Sequence, residues 1–324
     1  MKRFILFFSF SLLFSNLYSQ KLQEWNIQSH TFLDNREYFN RYTKPQTIFG
    51  SRLGITAGFS LDSVHLLQVG SDFLYELGST YEDIKIKPIV YYKYRTENVQ
   101  FTFGSFPRDT NVEYPKILHN DTLAYYRPNV EGGMLYLKIK KGYQKIWIDW
   151  TGRQTETVNE AFMAGTYGKY NFDKFFFENY YYMYHHAGTL TKHFLRDNGG
   201  GLFLLGLDAT EKHHMIFVTG LAFSTDRVRP DPYDVSIGFY NRLEYVNKIY
   251  VGRITHYLGK GLSLAYGDPF YKAGNYLRFD AEANFIQHKN VNLQLKFSFH
   301  VTDDGLDSSQ MLKLVFNLSG TKFK

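Results

Sequence analysis

The chain has 324 residues, a formal net charge of +6 and no cysteine. The lack of thiols excludes disulfides, cysteine metal sites, thiol catalysis and a lipoprotein anchor, so an exported chain of this size must be held by packing or by a closed sheet. Phe (30) and Tyr (27) far outnumber Pro (8), which favours strands over helices and suits a protein with two membrane–water interfaces to anchor.

Residues 1–19 read as a signal peptide. Lys2 and Arg3 form the basic head, 4–14 the apolar run, and Leu17-Tyr18-Ser19 a cleavage site before Gln20. The run is too short for a membrane-spanning helix, which needs about 20 residues. Residues 20–324 read as one domain. Its charges are spread along strands rather than clustered with stacking aromatics, which argues against nucleic acid.

From residue 22 onward the chain divides into short segments whose connections alternate in length. Tight turns fall at Asp62-Ser63, Glu97-Asn98, 141–143, 171–173, 210–212, 246–248 and Lys289-Asn290. Between them lie longer connections at 34–46, 78–83, 109–130, 154–160, 187–198, 225–233, 258–275 and 303–309. Short turns on one rim and long loops on the other predict an all-β fold: a transmembrane up-and-down antiparallel β-barrel of about 16 strands (14–16). The short turns then face the periplasm and the long loops the exterior, in the outer membrane of a Gram-negative bacterium.

Period-two alternation supports this reading. In 291–302, Leu293, Leu295, Phe297, Phe299 and Val301 share one face, and Gln294, Lys296, Ser298 and His300 the other. Leu53, Ile55 and Ala57 oppose Arg52, Gly54 and Thr56; Ile146, Ile148 and Trp150 oppose Lys145, Trp147 and Asp149; Leu277 and Phe279 oppose Arg278 and Asp280. Runs of about 10–14 residues exceed ordinary soluble strands and suffice to cross a bilayer at a tilt. Three places fit less well. Segment 174–186 has aromatics on both faces, a girdle or a lumen partly filled by rings. Arg253 shares a register with Ile249 and Val251. Pro88 removes a ladder donor and predicts a bulge or an open pair.

The inward face is the expected pore lining: Arg52, Asp72, Lys85, Lys87, Lys93, Arg95, Lys138, Lys145, Asp149, Arg153, Arg242, Glu244, Arg278, Asp280, Glu282 and Lys296. Its excess of Lys and Arg would favour anionic or neutral polar solutes; the alternative is that these groups pair and plug the barrel. Connection 109–130, carrying Asp109, Glu113, Lys116, His119, Asp121 and Arg127, is the expected constriction loop. Connection 258–275, with Tyr266, Asp268 and Tyr271, is the second candidate.

Enzyme chemistry is expected to be absent. No Gly-x-Ser-x-Gly is present, and Ser319-Gly320-Thr321-Lys322 lies on the terminal tail. His300, Asp303 and Asp304 form a loose constellation near the outer rim, the one opening for a hydrolase. Neighbouring histidines such as His185-His186 point to opposite faces of a strand, so no metal is expected, nor any cofactor. The implied partners are outer-membrane lipid, the assembly machinery during insertion and small polar solutes.

Leu17-Tyr18-Ser19-Gln20, Phe103-Gly104-Ser105-Phe106-Pro107-Arg108, Tyr125-Tyr126-Arg127-Pro128-Asn129 and Gly267-Asp268-Pro269-Phe270-Tyr271 carry a resemblance. The chain resembles the porin-like outer-membrane barrel proteins of Bacteroidota-type bacteria. That resemblance implies architecture and assigns no substrate. The resulting expectation is passive diffusion of small hydrophilic solutes, with a plugged structural or assembly barrel as the alternative and an outer-membrane hydrolase behind it.

Overall fold

The computed structural model describes residues 21–60, 62–189 and 194–321; the expected signal peptide lies outside them. The described residues close into a barrel of sixteen antiparallel strands in which every strand pairs with its chain neighbours and β1 closes on β16. The first eight are β1 (Lys21–Glu37), β2 (Gln46–Ser60), β3 (His65–Glu76), β4 (Lys85–Arg95), β5 (Val99–Pro107), β6 (Asn129–Ile139), β7 (Gly142–Gly152) and β8 (Ala161–Phe172). The rest are β9 (Phe175–His186), β10 (Arg196–Asp208), β11 (Met215–Val228), β12 (Asp234–Val246), β13 (Tyr250–Gly259), β14 (Asn275–His288), β15 (Val291–Thr302) and β16 (Gly305–Thr321). No helix of the described residues is long and apolar enough to cross a membrane, so the strands do the crossing.

The alternation decides which side of each strand meets lipid. Leu53, Ile55, Ile146, Trp150, Phe279, Phe297 and Phe299 are exposed on the outer wall, while Arg52, Asp149, Arg278, Asp280, Lys296 and His300 are buried inside. Only lipid makes such an apolar outer band favourable, because burying it against hydrocarbon removes it from water. Strand β13 resolves the misfit at Arg253: the inward set is Val251, Arg253, Thr255 and Tyr257, and Arg253 there meets Glu244 at 2.5 Å. Pro88 opens the ladder as expected. Pairing of β4 with β5 begins only at Val90–Ser105, and the Ser105 hydroxyl caps the free Pro88 carbonyl at 3.0 Å.

The lumen is not uniformly wet, which corrects the expectation of a charged lining on strand after strand. On β8 to β12 the inward residues include Met163, Tyr167, Tyr182, Leu202, Leu204, Val218 and Ala222, all buried in one apolar cluster. Segment 174–186 accordingly fills the lumen with rings on its inner face. Of the expected pore lining, Arg153 falls beyond the end of β7, exposed on a connection. A register shift between Trp150 and Gly152 ends the alternation just before it. The other fifteen keep inward positions, with Arg95 and Lys138 near the short-turn rim.

Two long connections enter the barrel and join. The first, 108–128, runs inward from β5 through the short helix Asp121–Tyr126 and back to β6. Arg108 anchors its start by bonding the carboxylate of Asp149, which is wholly buried, and the Arg127 carbonyl at 2.9 Å. Ile117 and Leu118 on this loop have essentially no exposure. The second, 260–274, is held to the wall by Asn198, which donates to the Ser263 carbonyl at 2.8 Å and accepts from the Ala265 N–H at 2.9 Å. Gly200 makes room for it, since a Cβ there would stand 2.8 Å from Leu264 Cδ2 and 2.3 Å from the Phe223 carbonyl. The loops meet through Asn120 N–H to the Tyr266 carbonyl (2.8 Å), Asp268 N–H to the Lys116 carbonyl (3.0 Å) and Asn120 Nδ2 to the Gly267 carbonyl (3.2 Å). The expected constriction loop is thus one half of a two-loop partition.

Candidate functional site

Two cavities flank the partition among the described residues. One, of about 860 Å³, is lined by Glu24, Gln28 and Gln68 from the short-turn half of the barrel, by Arg52, Asp72, Arg242 and Lys313, and by Asp109, Glu113 and Lys116 of the first loop. The other, of about 180 Å³, lies between the partition and the wall formed by β1, β14, β15 and β16. It concentrates chemistry: Asp34, Arg36, Asp121, Asp268, Arg278 and Lys296 all line it, with the hydroxyls of Thr122, Ser298 and Ser309.

Each side chain is placed by a different element. On β1, Asp34 accepts from Arg36 Nη2 at 2.7 Å and from the Tyr125 hydroxyl at 3.1 Å, and Arg36 Nη1 reaches on to the Thr122 hydroxyl at 3.0 Å. Tyr125 is fixed in turn by stacking on Phe32, 4.3 Å between centroids. On β14, Arg278 bonds Asp280 at 2.9 Å and Asp268 at 3.1 Å. Lys296 on β15 bonds Glu282 at 2.9 Å and lies 3.4 Å from Asp280. From the loops come Asp268, whose other oxygen accepts the Phe270 N–H at 3.2 Å, and the bonded pair Lys116–Asp121.

The loop groups have displaced ionisation. Burial raises the Asp268 carboxyl above its ordinary value, and Arg278 beside it only partly offsets this. Burial likewise pushes Lys116 down to about 8, against the pull of Asp121. Burial alone would raise Asp121, but Lys116, Lys296 and Arg278 outweigh it and keep that carboxylate ionised. The cavity thus holds one carboxyl raised by burial, Asp268, beside one held as an anion, Asp121. Among the described residues, no group of three or more His, Asp or Glu is arranged to hold a metal ion.

The rim constellation expected from sequence does not assemble. His300 is buried, bonded through Nδ1 to the Tyr276 hydroxyl at 2.6 Å and stacked on Phe270 at 4.2 Å. Asp303 instead bonds Arg41 and Tyr42 on the exposed surface. Of the residues expected to line the pore or its loops, Asp121, Asp268, Arg278 and Lys296 converge on the small cavity, Lys116 lines the larger one while bonding Asp121, and Lys93, Lys138 and Lys145 lie elsewhere in the barrel. Asp34 and Arg36 escape the sequence reading because 34–46 has the polarity of a connection. Strand β1 runs on to Glu37, and the alternation of Phe32, Asp34 and Arg36 on the inner face is the signal that could have found them.

A family model described as lipid A 3'-O-deacylase-type matches residues 16–323. The chain belongs to that family. The expectation that it is not an enzyme is therefore corrected, since the family is one of ester-cleaving enzymes. No curated protein matches the chain. In fold it is similar to the loop L8 deletion mutant of OmpT, an outer membrane protein of Vibrio cholerae (TM-score 0.60, 11% identity, 93% of this chain and 100% of that one). It is also similar to Salmonella typhi OmpF in complex with daunomycin (0.56, 10%, 91% and 98%) and to Acinetobacter baumannii OccAB3 (0.52, 10%, 92% and 99%). These likenesses establish an outer-membrane β-barrel.

Proposed function

We propose that this family member is an outer-membrane ester hydrolase that releases an ester-linked acyl chain from a lipid A-type glycolipid, with the 180 Å³ cavity as its reaction site. The observation that carries the reading is the Asp268 carboxyl, raised by burial and facing a cavity that also holds Arg36 and Lys296. Asp268 removes a proton from water as the water oxygen bonds to the acyl carbon. The cations stabilise the negative charge that develops on the carbonyl oxygen. The ester C–O bond then breaks, and Asp268 returns the proton to the departing sugar oxygen, which leaves as a hydroxyl. The fatty acid leaves after losing its carboxyl proton to water.

The test is direct. Refolded protein in detergent is mixed with hexa-acylated lipid A, and released fatty acid is quantified by mass spectrometry. Wild type should release one acyl chain per lipid, and Asp268→Asn should be slower by about 10²–10⁴-fold, the usual worth of a positioned acid–base group. Equal rates for both proteins would remove Asp268 from the mechanism.

Diffusion of small polar solutes is the second reading. The 860 Å³ cavity with its charged lining favours it, as does likeness in fold to OmpF. Conductance across planar bilayers tests it.

A further inference from the structure

One row of side chains on the outside of the barrel breaks the pattern of the lipid-facing wall. Cross-strand pairing aligns Trp150, Phe162, His185, Asp197 and Arg227 on five consecutive strands, β7 to β11. All five face outward. Their strand neighbours two and more residues along the same face include the exposed Ile148, Tyr181, Met183, Phe203 and Leu221, while Met163, Asn198 and Ser224 between them are buried in the lumen. The row sits at the long-loop end of these strands.

The row opens as an aromatic girdle. Trp150 stacks on Phe162 at 5.4 Å, and Phe162 lies 5.2 Å from the His185 ring. Such girdles mark the level of lipid headgroups. Charges in the same row therefore meet headgroups rather than bulk water. Here Asp197 collects three partners: His185 Nδ1 at 3.0 Å, Arg227 Nη2 at 2.6 Å and Arg229 Nε at 3.1 Å. One carboxylate cannot neutralise two guanidiniums, so positive charge is left facing the outer leaflet. The geometry is also held firm. Arg227 places its guanidinium over the Tyr233 ring, 4.0 Å from its centroid, and its Nε is buried without a hydrogen-bond partner. More than half of the Arg229 side chain is exposed. Just below Asp197 on the same face, about 7 Å away at two residues of strand rise, Gly199 places no side chain between Met183 and Thr225.

We propose that Arg227 and Arg229, oriented by Asp197 and flanked by His185, form a docking site for the phosphate-bearing headgroup of an outer-leaflet lipid, whose acyl chain lies along the apolar outer wall below them, where Met183, Phe203 and Leu221 are exposed. Arginine pairs suit this ligand because the planar fork meets phosphate oxygens with two parallel hydrogen bonds. The site is on the outer wall, apart from the luminal cavity, and does not depend on ester cleavage. It rests on the outer-membrane placement alone.

Native mass spectrometry of the detergent-solubilised barrel reads the proposal out without reference to activity. Wild type, titrated with diphosphorylated lipid A, should retain one copy through gentle activation. The double variant R227Q/R229Q should retain it at least about tenfold less, the weakening produced by losing roughly 1.4 kcal/mol of binding. Dephosphorylated lipid A should be retained poorly by both proteins. R41Q, which removes an exposed arginine elsewhere on the same rim, should match wild type, and heat-modifiable gel migration reports that each barrel is folded. Competition by millimolar inorganic phosphate would assign the site to the phosphate group itself; its failure to compete, with lipid still retained, would show that the headgroup and chain are needed together. Equal retention by wild type and R227Q/R229Q, or equal retention of the phosphorylated and dephosphorylated lipids, would overturn the proposal.

Discussion

The backbone N–H of Asp268 donates to the carbonyl of Lys116 at 3.0 Å, joining two loops that start from opposite sides of the barrel. This one bond places a carboxyl raised by burial beside an ammonium lowered by it. Neither loop has the site alone: β14 and β15 supply Arg278 and Lys296, and β1 supplies Asp34 and Arg36. The catalytic proposal is therefore a statement about loop docking as much as about residue chemistry.

The pH dependence follows from Asp268. As the proton acceptor it must be ionised, and its raised value means that acyl release falls as pH drops through a point above the ordinary carboxylate range. Stability runs the other way. A carboxyl raised on folding contributes stability at low pH that is lost as pH climbs through its folded value. D268N should thus flatten the acidic limb of the rate profile while leaving the barrel at least as resistant to urea at neutral pH. An unchanged acidic limb in D268N would assign that titration to another group.

Asp149 and Arg108 secure the other end of the first loop. The carboxylate is wholly buried and the guanidinium nearly so, and Asp149 also accepts the Glu131 N–H at 2.9 Å. Asp149→Ala would strand a buried charge, at a cost of roughly 3–5 kcal/mol. Urea unfolding followed by tryptophan fluorescence should show that loss. Asp149→Asn, which can keep the Glu131 bond, should lose less.

Gly200 tests the second loop. A valine there would meet the Phe223 carbonyl and Leu264, and overpacking of this kind costs about 1–3 kcal/mol. The strain falls on the docked loop, because β10 is paired on both sides. Trypsin should cut after the exposed Lys260 and Lys272 faster in G200V than in wild type. Identical cleavage would mean that the loop is not held by this contact.

The strand count and the two faces are legible in the sequence because lipid imposes a period of two on every strand. Leu293 to Val301 can be assigned without any tertiary knowledge. The interior is harder to read. Tyr182, Leu202 and Ala222 face inward for the same reason that core residues do in soluble proteins, and nothing local distinguishes a ring that packs on an entering loop from one that touches lipid. Loop 109–130 declares itself as inward-folding by its length and charge, but its bonds to Tyr266 and Gly267 join residues about 150 positions apart. Asp34 is hidden for a simpler reason. A polar stretch, Asp34-Asn35-Arg36-Glu37, reads as a loop in water, yet here it continues a strand past the membrane into a polar cavity.

The two-loop partition also makes a prediction about passage through the barrel. Ile117 and Leu118 pack into the apolar cluster that includes Leu262, Phe270 and Tyr271 of the second loop, and Gly267 lies so close that a Cβ would stand 2.4 Å from the Ile117 carbonyl. Water-sized solutes entering the 860 Å³ cavity from the short-turn rim meet this contact before they reach the exterior. Wild type in planar bilayers should accordingly show little steady conductance. Replacing both Ile117 and Leu118 by Ser removes the apolar surface that holds the loops together, each large buried side chain being worth about 2–5 kcal/mol when truncated. The variant should open to a flickering, salt-dependent conductance while the β-strand signal in circular dichroism is kept. A large steady conductance in wild type, unchanged by the double substitution, would instead favour the diffusion reading over a barrel whose lumen is partitioned for chemistry.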